Sequence, residues 1–220
     1  MTISAQAVKE LREKTGAGMM DCKKALTENG GDMNKAAEWL RVKGLSGAGK
    51  KAGRVAAEGS VGSYIHMGGK IGVLCEVNCE SDFVARGEDF KEFVKDISMQ
   101  IAAANPEFVR REDVPAERVA KERALFEAEV KEQGKPAAVV DKIVNGKVDK
   151  WYADICLMEQ PWVKEPKKTI EQVRAELVQK TGENVQVRRF ARYVLGEGIE
   201  KKAENFAAEI AKMQEAVRGG

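Results

Sequence analysis

Apolar positions in the first part of the chain recur at near-helical spacing: Val8 and Leu11, then Met20, Ala25 and Leu26, then Ala36, Ala37, Trp39 and Leu40. Two glycine-bearing breaks, Thr15-Gly16-Ala17-Gly18 and Asn29-Gly30-Gly31-Asp32, separate the three stripes. A helical period interrupted in this way predicts three short helices, so residues 1–44 read as a compact three-helix module. Asp32 stands where it can cap the third helix.

Beyond Gly44 the stripe is lost. Gly47, Gly49 and Gly53 alternate with Lys50, Lys51 and Arg54, and residues 45–54 read as a mobile basic linker. From Val55 onward strand and helix signals mix. Val61–His66 and Lys70–Asn78 are strand-like runs joined by Met67-Gly68-Gly69, the pattern of an antiparallel hairpin. Phe90, Phe93, Val94, Ile97 and Ile101 form one apolar stripe, which predicts a core helix over 90–104. Two charged helical patterns between Pro115 and Lys150 flank Gly134-Lys135-Pro136, where glycine can end one helix and proline start the next. That arrangement predicts a projecting helical hairpin.

Strand signals return at Ala153–Leu157 and at Val185–Leu195, with a helical pattern from Ile170 to Lys180 between them. The tail from Ala203 to Val217 carries Phe206, Ile210 and Met213 on one side of a helical pattern. The predicted class is α+β. A three-helix module (1–44) and a linker (45–54) precede an antiparallel sheet core with helices (55–195), which includes the hairpin at 115–150; a C-terminal helical segment (196–220) follows.

Composition limits what such a chain can do. With 220 residues and 43% hydrophobic content it can bury a real core. Its 37 Lys and Arg stand against 35 Asp and Glu, a net charge of +2, so no global field draws it to nucleic acid or to an anionic membrane. Direct nucleic-acid binding is not expected. The start, Met1-Thr2-Ile3-Ser4, leads straight into a charged amphipathic pattern, and no apolar run is long enough to span a bilayer. A cytoplasmic location with no membrane partner is expected.

The four cysteines, at 22, 75, 79 and 156, form neither a disulfide framework nor a Cys-x-x-Cys pair. Cys75 and Cys79 lie on a predicted strand about 13 Å apart, too far for a disulfide or one shared zinc ion. No metal and no cofactor is therefore expected. His66, the only histidine, has no Ser or Cys motif around it and reads as structural, which removes most hydrolytic chemistry.

One short motif points elsewhere. Gly44 to Lys50 has the G-x-x-x-x-G-K spacing of a phosphate-binding loop. Such a loop should follow a buried strand, whereas this one follows the helical Ala36–Leu40, and Lys51 stands where a magnesium-ligating Ser or Thr should be. The nucleotide-hydrolysing reading is disfavoured on both counts. A general protein-interaction or RNA-associated module is the other alternative; RNA binding would show a steep salt dependence that a protein-only binder lacks.

Thr15-Gly16-Ala17-Gly18-Met19-Met20-Asp21-Cys22-Lys23-Lys24-Ala25-Leu26 and Glu76-Val77-Asn78-Cys79-Glu80-Ser81-Asp82-Phe83-Val84-Ala85 resemble the two signature stretches of the elongation factor Ts family. Weaker matches follow in family order at Gly182-Glu183-Asn184-Val185 with Arg188-Arg189-Phe190, and at Gly196-Glu197-Gly198-Ile199-Glu200-Lys201. Two departures stand out. Ser81 replaces the family's usual threonine, keeping the hydroxyl, and the core unit occurs once, as in short members, where long members carry two related halves.

The resemblance implies a UBA-like N-terminal module and a guanine-nucleotide exchange factor with no chemistry of its own. Such a factor binds elongation factor Tu in its GDP form, displaces magnesium and speeds GDP release. Ser81, Asp82, Phe83 and Val84 are the implied partner-binding signature, with Asp82 and Phe83 as the wedge and Val84 packing. From the residues alone another reading stays open, in which Ser81 or Asp82 caps the next helix and Phe83 packs with Val84 in the core. Met19, Met20, Arg12 and Lys23 are the implied docking contacts, although Met20 reads equally well as core.

A lone small sheet would leave a face open to water. A homodimer through Ile71–Val77 and the region of Cys156, Leu157 and Met158 is expected to cover it. The hairpin or the C-terminal helix folding back is the alternative cover.

Overall fold

A computed structural model describes residues 3–15, 17–134 and 136–199. The N-terminal module forms as the apolar stripes require: α1 (Ala5–Thr15), α2 (Met19–Glu28) and α3 (Met33–Lys51) close around the buried Leu11, Cys22, Ala25, Leu26, Ala36 and Leu40. Asp32 caps α3, its Oδ1 accepting from Asn34 N at 2.9 Å and Lys35 N at 3.0 Å. Met20 is not core; it is 75% exposed.

The expected linker is largely helix. α3 continues without a break to Lys51, and only Ala52–Arg54 form a turn. Glycine is unfavourable inside a helix by about 1 kcal/mol per residue, so packing must override the local preference. It does so against α8 (Ile170–Thr181): Ala48 is buried in the main core, and Lys51 Nζ donates to Val178 O at 3.4 Å. At Gly44 the two helices come so close that a Cβ would lie 2.9 Å from Gln179 Oε1. The phosphate-loop spacing therefore falls wholly within a packed helix, which presents no cradle of N–H groups.

The core sheet has the order β1–β2–β5 with both pairs antiparallel, formed by β1 (Glu58–His66), β2 (Ile71–Cys79) and β5 (Gln186–Val194). Val73, Cys75, Val77 and Val187 fill one face beneath α5 (Glu88–Ala104), whose Phe90, Phe93, Val94, Ile97 and Ile101 are the stripe read from the sequence. Gly62 permits this close approach, because a Cβ there would sit 2.4 Å from Val94 Cγ1. The other face carries Val61, Ile65, Leu74 and Tyr193 exposed; the register Ser63↔Leu74↔Ala191 and Ile65↔Gly72↔Tyr193 places them together.

The hairpin, α6 (Ala116–Glu132) and α7 (Ala137–Ile155), holds its own small cluster of Val130, Val144 and Val148. Here two expectations fail. Ala153–Leu157 is not a strand: α7 runs to Ile155, Cys156 makes a single bridge to Phe108, and a 3-10 turn follows at Leu157–Glu159. A short apolar run does not separate a helix end from a strand by periodicity, and the packing of Trp151, Tyr152 and Ile155 around Val114 and Phe108 settles it as helix. Cys156, Leu157 and Met158, expected at a subunit surface, are buried.

A two-stranded ribbon not foreseen from sequence, β3 (Pro161–Trp162) with β4 (Glu165–Thr169), leads into α8. Thr169 and Gln172 close a reciprocal capping box there. All four cysteines are free and buried. No described helix is long and apolar enough to cross a membrane. The helix expected over 203–217 lies outside the described residues.

Candidate functional site

β2 ends at Cys79, and the chain turns at Glu80–Ser81 into the five-residue helix α4 (Asp82–Arg86). Ser81 is in extended backbone and caps this helix, its Oγ accepting from Val84 N at 3.3 Å. Val84, 9% exposed, joins the main core. The two residues between them point out: Phe83 is 82% exposed, and among the described residues Asp82 makes just an i,i+4 ion pair to Arg86 at 2.5 Å on the surface. The signature thus divides. Ser81 and Val84 anchor the corner, while Asp82 and Phe83 stand clear of it.

The anchoring comes from residues the sequence analysis did not single out by role. Glu183 Oε2 accepts from Glu80 N at 3.1 Å and Ser81 N at 3.0 Å, and Glu183 Oε1 accepts from Ser81 Oγ at 2.5 Å. Ser81 therefore uses its hydroxyl twice, as cap acceptor and as donor to the carboxylate. Asn184 N donates to Glu80 Oε1 at 2.6 Å; the fully buried Asn184 side chain donates to Ala52 O at 3.3 Å and Arg54 O at 2.8 Å. Gly182 makes the turn possible, ending α8 in the left-handed region at φ 78°. In the sequence Gly182-Glu183-Asn184 carried only a family likeness, and no periodicity reveals that it meets Glu80–Ser81 a hundred residues away.

Beside this corner burial, and next the Glu183 charge, push the Cys79 thiol up to about 11. Cys79 stays a neutral thiol donating to Ser81 O at 3.2 Å. Among the described residues no group of three or more His, Cys, Asp or Glu is arranged to hold a metal ion.

Phe83 lines a groove of about 1010 Å³ between the N-terminal module and the core, with Lys9, Arg12 and Gly18 on the module side and Arg86 and Thr181 on the other. Arg12 and Phe83 are thus brought to one cleft. Met19 and Met20, 59% and 75% exposed, occupy the first turn of α2 just after Gly18. Lys23 is exposed one turn further on. The Met pair, Lys23, Arg12 and Phe83 lie on two separate units held together by α3. Met19, Met20 and Lys23 are not among the residues that line the groove holding Arg12 and Phe83; as side-chain types, soft methionines, an aromatic ring and cations suit a protein partner.

The family model described as Elongation factor TS matches residues 48–197. Curated relatives extend the likeness over the N-terminal module. Elongation factor Ts of Anaeromyxobacter sp. (strain K) is 66% identical over 210 residues, covering 96% of each chain. That of Geobacter sulfurreducens is 60% identical over 211 residues, covering 96% of this chain and 98% of the relative. That of Desulforamulus reducens is 61% identical over 209 residues, covering 95% and 96%.

Proposed function

Because this chain belongs to the elongation factor Ts family, we propose that it is the exchange factor that binds elongation factor Tu with GDP, dislodges its magnesium ion and releases the nucleotide during translation elongation. The need for such a factor follows from rates. A nucleotide bound at nanomolar affinity with association near 10⁶ M⁻¹s⁻¹ leaves at roughly 10⁻³ s⁻¹, about a quarter of an hour per event. Magnesium and the backbone cradle of the GTPase supply much of that affinity, so a wedge that disturbs them is enough and no catalytic base is required. The chain then works in the cytoplasm as a binding protein and not as an enzyme.

The observation that supports this reading best is the 82% exposure of Phe83 on a corner whose neighbours, Ser81 and Val84, are fixed. An apolar ring held in water on a rigid support is placed for a partner's cleft. Asp82 beside it brings acceptor oxygens and negative charge towards the magnesium site. Arg12, Met19, Met20 and Lys23 are the proposed docking contacts of the module. The direct test is release of labelled GDP from purified elongation factor Tu with and without the chain. No acceleration would remove the proposal.

Linkage makes the reading testable without kinetics. A protein that weakens bound GDP and magnesium must itself be weakened by them by the same factor. Titration calorimetry is expected to find tighter binding to nucleotide-free partner than to the GDP-loaded form. Equal affinities would exclude exchange, since equal binding shifts no equilibrium.

The exposed sheet face supports a second proposal, a homodimer joined through Val61, Ile65, Leu74 and Tyr193. Most of the hairpin's apolar side chains pack in its own clusters, with Leu125 and Val139 exposed, and the four exposed apolar side chains sharing one sheet face are what a symmetric second copy could cover. Light scattering is expected to give about twice the monomer's 24.2 kDa, and Leu74→Asp to return it to the monomer. A monomer mass that stays constant into the high micromolar range would count against it.

A further inference from the structure

We infer that Glu183 is a positioning residue for the Phe83 wedge, an inference that rests on the exchange reading above. α4 has five residues, too few to hold a helix on its own, and the exposed Phe83 ring has little packing to fix it. Beside the Ser81 cap and the buried Val84, one carboxylate holds the turn that leads into it. Glu183 takes the N–H groups of Glu80 and Ser81 and the Ser81 hydroxyl, and these donors sit at the turn that aims α4. Three hydrogen bonds converging on one side chain set the direction of the turn as well as its position, and reach and geometry decide them.

Glu183 is itself held from behind. Its N–H donates to Thr181 Oγ1 at 3.3 Å, Gly182 ends α8, and α8 lies along α3 with Lys51 Nζ on Val178 O. The neighbouring Asn184 ties the turn after α3, through Ala52 O and Arg54 O, to the same corner. A continuous set of attachments therefore runs from the helix that carries the docking module, through α8 and Glu183, to the wedge. Glu183 lines the groove but sits behind Ser81; its effect on exchange passes through Phe83.

The experiment measures stimulated GDP release and melting temperature for Glu183→Asp, which draws the carboxylate back by one methylene, and for Glu183→Gln, which keeps length and can still accept from both N–H groups. Each is combined with Phe83→Ala. Glu183→Asp is expected to slow release at least about fivefold, with Glu183→Gln within about twofold of the native rate. The double variant Glu183→Asp/Phe83→Ala is expected to be no slower than Phe83→Ala alone, because a positioning residue has nothing left to position. Rates that multiply in the double variant, a native rate in a folded Glu183→Asp, or loss of folding in Glu183→Asp would each overturn the assignment. Phe83→Ala at the native rate would instead remove the wedge itself, so the two failures are distinguishable.

Discussion

Phe83→Ala and Asp82→Ala are each expected to slow stimulated GDP release at least about tenfold, a loss of about 1.4 kcal/mol in transition-state stabilisation, with melting temperature nearly unchanged. The reason lies in where the side chains are. The Phe83 ring is 82% exposed, so its removal leaves no cavity and returns little apolar surface to water on unfolding. Asp82 gives up only a surface pair with Arg86, an interaction that contributes little to stability. A large drop in melting temperature with exchange intact would reassign both residues to the chain's own fold.

Seven residues on, the expectation reverses. Phe90→Ala is expected to destabilise the fold by about 3–5 kcal/mol, lost transfer energy plus the cavity left behind, while the folded fraction keeps its exchange activity. Phe90 is fully buried between α5 and the sheet, packed in the same cluster as Val73, Val77, Val94 and Ile97. Against a typical total of about 5–15 kcal/mol, such a loss brings the chain near its unfolding threshold at growth temperature. Urea denaturation measures it. A shift below about 1 kcal/mol would mean that this layer can collapse around the missing ring and that the core is not packed as described.

How much of this could be read in advance differs by element, for physical reasons. The α5 stripe, the β1–β2 hairpin, the capped start of α3 and the helices flanking Gly134 follow from periodicity and turn chemistry within a few residues of each other, and all were legible. The second half of α3 was not. Gly44, Gly47 and Gly49 argue locally for a loop, and the helix survives because α8, more than a hundred residues later, packs against it. The end of α7 reads as strand in the sequence because Ala-Asp-Ile-Cys-Leu fits either state over so short a run. Pro161–Thr169 was missed because strands of two and five residues leave no usable alternation.

At the candidate site the sequence likeness singled out Ser81–Val84. It set Asp82 and Phe83 apart from a packing Val84, while the residues alone left open a Phe83 packed in the core; the 82% exposure of Phe83 removes that second reading. Glu183 could not be weighed at all, because its meaning is a contact across the fold.

The unbroken α3 also changes what kind of binder this chain can be. Nineteen residues of helix span about 28 Å at ~1.5 Å per residue. Had residues 45–54 been a tether, the module and the wedge would be two ligands on a string, the second engaging at an effective concentration set by tether length. A helix seated on α8 abolishes that regime. If both proposed surfaces bind, they approach a partner at a fixed separation, with no tether entropy left to lose when the second one lands. On the proposed reading, a partner whose two contact regions shift apart could keep only one of them, so the fixed spacing would gauge the partner's conformation.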